Sequence, residues 1–192
     1  MKITSIVLLF FLGSCAKLDM KTSSPLKNKT PYRVSWVKNL DPVYNTGNLP
    51  VGNSSPFVFQ DIVYMGSLSG KMSAYNLETG ALVWEHDEGQ AIQAPAEKFG
   101  DYIYYGSLNG RLFARHYLSG ELKYATDLGT PIESAAVLTS GRLILHLRNH
   151  TIMAIDAMTG KIFWSYQRSV TFSSTLQRVS KVLPYDNSLI VG

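Results

Sequence analysis

Cysteine is nearly absent from this chain. Cys15 is the only one among 192 residues, so no intrachain disulfide can form. Charge is sparse as well, at 17% of residues with a formal net charge of +4, or +3 once Lys2 is set aside with the leader described below. There is no dense Lys/Arg run apart from the Lys-rich segment 17–29, which reads as a solvated tether; the competing reading sets it near anionic lipid. A nucleic-acid partner is not expected, given the secretory leader described below. Helical patterning is missing: no window of helix length in the repeat described below carries apolar residues at i, i+3, i+4 and i+7, which excludes helical repeats. No phosphate-binding loop is present, because Gly66 and Gly70 bracket a hairpin turn and not a strand-to-helix junction. Four histidines, His86, His116, His146 and His150, show no metal-ligand spacing. His146 and His150 flank a hairpin turn and are expected to face solvent. The leader's apolar run, residues 6–12, is far too short to span a bilayer.

That run belongs to a secretory leader, residues 1–14, with Lys2 before it and small residues after it. The leader ends in Leu12-Gly13-Ser14-Cys15, which resembles the lipobox of bacterial lipoproteins. The resemblance implies cleavage before Cys15 and lipidation of its thiol and new amino group. Ala16 follows, where Asp would imply inner-membrane retention in enteric-type bacteria, so an outer-membrane anchor is expected. The competing reading is an ordinary signal peptide with an incidental cysteine. Residues 15–30 are polar and form a flexible tether between lipid and folded body.

What the chain does have is a repeat. Residues 61–84 return forty positions later at 101–124, and more faintly at 141–164. Between 61–87 and 101–127, 10 of 27 positions are identical without a gap. Gly80, Gly120 and Gly160 keep step, as do Ala74, Ala114 and Ala154, and Trp84, Tyr124 and Trp164. A fixed period of this length signals a repeat architecture. Each unit holds three clear apolar bursts separated by turns, as in Ile62-Val63-Tyr64-Met65, residues 71–75 and Ala81-Leu82-Val83-Trp84. A weaker strand precedes each trio, at 56–60, 93–99, 135–139 and 179–183. Glycines 70, 80, 110, 120 and 160 suit tight hairpin turns. Four short strands per forty residues describe an all-β fold, a β-propeller of four-stranded antiparallel blades. About three and a half blades are present over residues 31–192. Residues 31–38, with Trp36, read as an orphan last strand. Residues 188–192 match 62–66, the second strand of a further blade. The chain is therefore expected to be the N-terminal part of a longer ring.

Residues 154–164, Ala-Ile-Asp-Ala-Met-Thr-Gly-Lys-Ile-Phe-Trp, resemble the Ala-x-Asp-x-x-Thr-Gly-x-x-x-Trp signature of quinoprotein (PQQ-like) propeller repeats. Residues 74–84 match with Asn76 in the Asp place. The middle unit departs with His116, Ser119 and Tyr124. Together with the lipobox, tether and orphan strand, the chain is similar to the N-terminal half of the BamB family of outer-membrane assembly lipoproteins. That resemblance implies an eight-bladed ring with no cofactor and no reaction. It also implies docking on BamA, the barrel-bearing subunit of the assembly machinery, contact with unfolded outer-membrane proteins, and a lipid anchor on Cys15.

One link breaks the rhythm. Trp84 to Tyr104 spans twenty residues, whereas Trp164 to Ile190 spans twenty-six. The added segment, 168–178, mixes apolar and basic residues, the composition of an interface centre. The resemblance implies that the family's BamA-contacting loop corresponds to this segment, with Phe172, Leu176 and Arg178 as its expected equivalents. The competing reading is a surface loop folding back on its blade. The link 39–55 is also long, but it is polar and reads as a solvated loop.

Two rival classes remain. Quinoprotein dehydrogenases share the repeat, but a single cysteine excludes the vicinal disulfide many of them carry. Asp61, Asp87, Glu88, Asp101, Asp127, Glu133 and Asp156 fall mostly at turns, and several recur in register, which fits structure better than catalysis. A ligand-capturing surface propeller is the other class. Tyr102, Tyr104 and Tyr105 could stack sugars, but Tyr104 repeats Tyr64 and is expected in the core.

Overall fold

The computed structural model describes residues 33–40, 54–169, 179–186 and 188–191. Cys15, Phe172, Leu176 and Arg178 lie outside them. All described strands belong to one unit, Ser35–Gly192.

Three four-stranded antiparallel sheets follow one another, each in simple meander order. Blade 1 holds β1 (Phe57–Phe59), β2 (Ile62–Gly66), β3 (Lys71–Asn76) and β4 (Leu82–Asp87). Blade 2 holds β5 (Glu97–Phe99), β6 (Tyr102–Gly106), β7 (Arg111–His116) and β8 (Leu122–Asp127). Blade 3 holds β9 (Val137–Thr139), β10 (Arg142–His146), β11 (Thr151–Asp156) and β12 (Ile162–Gln167). A hairpin, β13 (Leu183–Tyr185) with β14 (Ser188–Ile190), begins a fourth sheet. The all-β propeller reading of the sequence is what the chain forms. Three details differ. The first strands of the second and fourth sheets start at Glu97 and Leu183 and not at 93 and 179; like Phe57–Phe59 and Val137–Thr139 they are three residues long. Residues 33–38 contain no strand among the described residues, although Trp36 fills the role expected of a last-strand aromatic, as shown below.

The core lies between blades. Successive side chains along a strand face opposite sides of a sheet, so each second strand feeds two cores. On β6, Ile103 and Tyr105 join Tyr64, Met72 and Trp84 of blade 1, while Tyr104 joins Leu143, Leu145 and Ile155 of blade 3. On β10, Leu143 and Leu145 face blade 2, and Ile144 packs with Val182 of the link and Leu189 of the fourth sheet. Strands buried on both faces need continuous apolar sequence, which is why the second-strand bursts are unbroken.

The conserved spacing of Ala, Gly and aromatic now has a cause. Ala74, Ala114 and Ala154 are fully buried and pair across the sheet with Trp84, Tyr124 and Trp164. A methyl side chain there leaves room for the large ring opposite, and a β-bulge follows each alanine. The ring then reaches the next blade. Trp84 Nε1 donates to Tyr117 O at 3.1 Å, and a Cβ on Gly120 would lie 2.8 Å from the Trp84 ring. Tyr124 donates to Ala157 O at 3.1 Å, and a Cβ on Gly160 would lie 2.6 Å from its ring. Trp36 does the same to blade 1, donating to Leu77 O at 2.8 Å with its ring over Gly80. The second-strand tyrosines share these acceptors: Tyr64 donates to Tyr117 O and Tyr104 to Ala157 O. Burial pushes both hydroxyls up to about 12.

The Asx and Thr of the signature shape the turn that carries that glycine. Asn76 Oδ1 accepts from the Thr79 backbone N–H and the Thr79 hydroxyl, each at 2.8 Å, and Asp156 Oδ1 repeats both bonds with Thr159. Those bonds hold the Asp156 carboxyl below its usual range. In blade 2, His116 and Ser119 make longer versions at 3.2–3.3 Å.

Two glycines separate strain from collision. Gly120 and Gly129 both have positive φ, +71° and +68°, but nothing lies within 4 Å of a Cβ on Gly129. Gly129→Ala is expected to cost about 1 kcal/mol from backbone strain alone. Gly120→Ala adds overpacking against Trp84 and should cost about 2–4 kcal/mol in urea unfolding. Equal losses at the two sites would refute the joint.

Candidate functional site

Strand alternation places the second-to-third-strand turns and the inter-blade links on one rim, and the remaining turns on the other. On the link rim, two links are short and alike: residues 88–96 between β4 and β5, and 128–136 between β8 and β9. The third, residues 168–182 between β12 and β13, is six residues longer.

Glycine makes the short links possible. Ile92 N donates to Ser67 O at 2.9 Å, and Ile132 N to Ser107 O at 3.2 Å. The two isoleucine side chains sit directly over Gly66 and Gly106, where a Cβ would come within 2.4 and 2.2 Å. The link backbone also crosses the turn glycines: a Cβ on Gly70 would lie 2.7 Å from Gln90 N, and one on Gly110 2.7 Å from Thr130 N. Any side chain at these four places collides with the link.

Blade 3 puts histidine at both corresponding places. His146 stands where Gly66 and Gly106 stand, and His150 where Gly70 and Gly110 stand. His150 keeps the left-handed backbone of the glycines, with φ +60°. That conformation is uncommon for a residue with a Cβ. His146 is buried, at 8% exposure, which corrects the expectation that it faces solvent. It ends β10, a strand buried on both faces, so its ring is carried inward. Its Nδ1 lies 3.3 Å from Ser180 O. A carbonyl only accepts, so Nδ1 carries the proton in this contact.

The described ends of the long link are thus both held by blade 3. Arg168 N donates to His150 O at 3.1 Å, in register with Glu88 N to Gly70 O and Leu128 N to Gly110 O. Ser180 O meets His146 at the far end. Around them, Ser134 Oγ donates to His146 O at 2.9 Å, and Arg148 pairs with Glu133, its Nε 3.0 Å from Oε2. The expected partner contacts, Phe172, Leu176 and Arg178, lie outside the described residues. The histidine pair was legible in principle, since it appears on writing 66–70, 106–110 and 146–150 in register. It was missed because the histidines were read as turn residues and not as lost glycines.

Elsewhere the carboxylates behave mostly as read. Asp87 and Asp127 accept from Gly89 N and Gly129 N at 2.8 Å, closing the turns after β4 and β8. Glu88 is the exception, its side chain buried at 5% exposure against Arg115. Tyr104 and Tyr105 are buried, which removes them as a stacking platform, and Tyr102 lies under Lys123 Nζ at 4.0 Å. Among the described residues, no three His, Cys, Asp or Glu side chains gather as metal ligands. A cleft of about 250 Å³ lies between blade 3 and the β13–β14 hairpin, lined by Arg142, Trp164, Pro184 and Leu189 among others. Beside Trp84 and Tyr124 the corresponding place holds the turns ending in Gly120 and Gly160.

The chain was compared with known proteins. The model of the family described as outer membrane protein assembly factor BamB matches residues 69–192, roughly two thirds of the chain. No curated protein sequence matches. The fold itself is widespread, with 860 matching solved chains. BamB from Moraxella catarrhalis aligns with a TM-score of 0.62 at 19% identity, over 74% of this chain and 42% of that one. The computationally designed Ika8 protein aligns with a TM-score of 0.59 at 16% identity, over 71% and 41%. A quinohemoprotein alcohol dehydrogenase from Pseudomonas putida HK5 aligns with a TM-score of 0.54 at 20% identity, over 59% and 20%. The chain therefore spans about two fifths of the length of the solved BamB. These likenesses establish the propeller fold, which serves enzyme and scaffold alike.

The His146–Ser180 contact has a local readout. His146→Ala should speed amide exchange across 179–182 about fivefold, the equivalent of about 1 kcal/mol, while the β10–β11 hairpin is unchanged. Unchanged exchange at 179–182 would show that His146 does not hold the link.

Proposed function

The chain belongs to the family of the outer membrane protein assembly factor BamB, and from that premise we propose that it is a non-enzymatic lipoprotein scaffold of the outer-membrane β-barrel assembly machinery. It sits at the periplasmic face of the outer membrane, tethered by lipid on Cys15 and residues 15–30. It docks on BamA and assists the insertion of unfolded outer-membrane proteins. No cofactor takes part.

The observation that carries this reading is the break in the repeat at blade 3. A propeller that only scaffolds itself has no use for a third link unlike the first two. Blade 3 gives up two glycines and gains six link residues at one rim position. Phe172, Leu176 and Arg178 fall in the lengthened segment. Apolar anchors beside an arginine are what a hot spot is made of. A quinone-dependent dehydrogenase is the second reading, supported by the fold shared with the Pseudomonas putida enzyme.

Purification of the full-length, lipid-anchored protein from solubilised outer membranes separates the two. Stoichiometric recovery of BamA is the expected result; a bound quinone or glycan in its place would overturn the scaffold reading. Phe172→Ala, Leu176→Ala and Arg178→Ala should each weaken BamA binding about tenfold or more, about 1.4 kcal/mol, with no change in Tm. Wild-type affinity in all three would move the contact away from this link.

A further inference from the structure

Glu88, Tyr105 and Arg115 form a buried polar triad across the seam between blades 1 and 2. Glu88 begins the first link, Tyr105 lies on β6 and Arg115 on β7. Glu88 Oε1 accepts from the Tyr105 hydroxyl at 2.6 Å and from Arg115 Nε at 2.8 Å. Arg115 Nη1 donates to Gly120 O at 2.8 Å, the glycine that Trp84 covers. The Arg115 and Glu88 side chains are 9% and 5% exposed, and Tyr105 is 2% exposed.

Forty residues on, the same three places hold Leu128, Leu145 and Ile155. All three are buried in the core between blades 2 and 3. This fold therefore closes a seam with an apolar trio, and the ionic trio is not needed to fill space. Desolvating two charges is costly, and well-packed apolar replacements of buried ion pairs are often neutral or stabilising. What the ionic trio supplies is discrimination between neighbours.

Blades built from one repeat are interchangeable in outline, so a blade can pack on the wrong neighbour within a chain or between chains. We infer that Glu88, Tyr105 and Arg115 form a registration lock that admits only blade 2 beside blade 1. If blade 1 packed on blade 3, Glu88 would meet Leu145 and Ile155 and be buried without a partner. If a blade 2 from a second copy packed behind blade 2, Leu128 would meet Tyr105 and Arg115 and strand both. Each wrong pairing buries an uncompensated polar group, which is how a mismatch is penalised without strengthening the match.

The test is refolding fidelity of the full chain, carrying Cys15→Ser so that no lipid is attached. The triple variant Glu88→Leu, Tyr105→Leu, Arg115→Ile copies the next seam. Its urea midpoint should equal or exceed that of the parent. After dilution from urea, its oligomeric fraction by light scattering should rise several-fold and grow with protein concentration. Glu88→Leu alone should lower the midpoint, because it strands Arg115. A triple variant that refolds to monomer as completely as the parent at every concentration overturns the lock. If the triple variant does not fold, the charge-reversed pair decides. Glu88→Arg should raise the oligomeric fraction, and adding Arg115→Glu should bring it back down. Failure of that reversal overturns the lock as well.

Discussion

The structure depends on an aromatic ring laid over a glycine of the next blade. The ring leaves its own sheet opposite a buried alanine, donates a hydrogen bond to a turn carbonyl, and covers a glycine that could carry no side chain. Trp84 and Tyr124 make the whole joint with Gly120 and Gly160, and Trp36, on no described strand, keeps its hydrogen bond and its cover over Gly80. The constraint runs in both directions along the chain. The turn must hold its glycine in place, which the Asx and Thr side chains do, and the strand before it must offer the alanine. One contact thus explains the five fixed letters of the repeat. Their recurrence marks them as architecture.

Much of this was legible because the repeat is a record of packing. Period, turn glycines and apolar bursts led to four-stranded blades, and the register of Ala, Gly and aromatic residues holds in three dimensions. Other features were not legible, for physical reasons. Residues 33–38 carry strand-like sequence but form no described strand, since propensity alone does not make one. Trp36 still keeps its joint, since that needs only one side chain. Glu88 looked like one turn carboxylate among several. Its burial depends on Tyr105 and Arg115, which lie 17 and 27 residues away and on other strands. His146 looked exposed because it adjoins a turn, yet it ends a strand that is buried on both faces.

The informative positions are therefore the departures from the rule. At the first seam an ionic trio stands where the second seam is apolar. At the third blade two histidines stand where glycines pass the link, and the link itself is six residues longer. The first departure acts inside the fold, on which blade may sit beside which. The second lies at the rim. In the function proposed above that rim is where the partner docks, and the loss of glycine indicates where on this chain to look.

The central claim is that partner recognition resides in the departure at blade 3. It is tested most directly by restoring the rule there: residues 168–182 replaced by the sequence of 128–136, with His146→Gly and His150→Gly. Calorimetric titration of this variant against BamA, beside its thermal unfolding curve, is the deciding measurement. The account predicts a folded propeller of unchanged Tm whose affinity for BamA falls at least about a hundredfold, about 2.7 kcal/mol. A restored chain that folds and binds BamA as the parent does would contradict it.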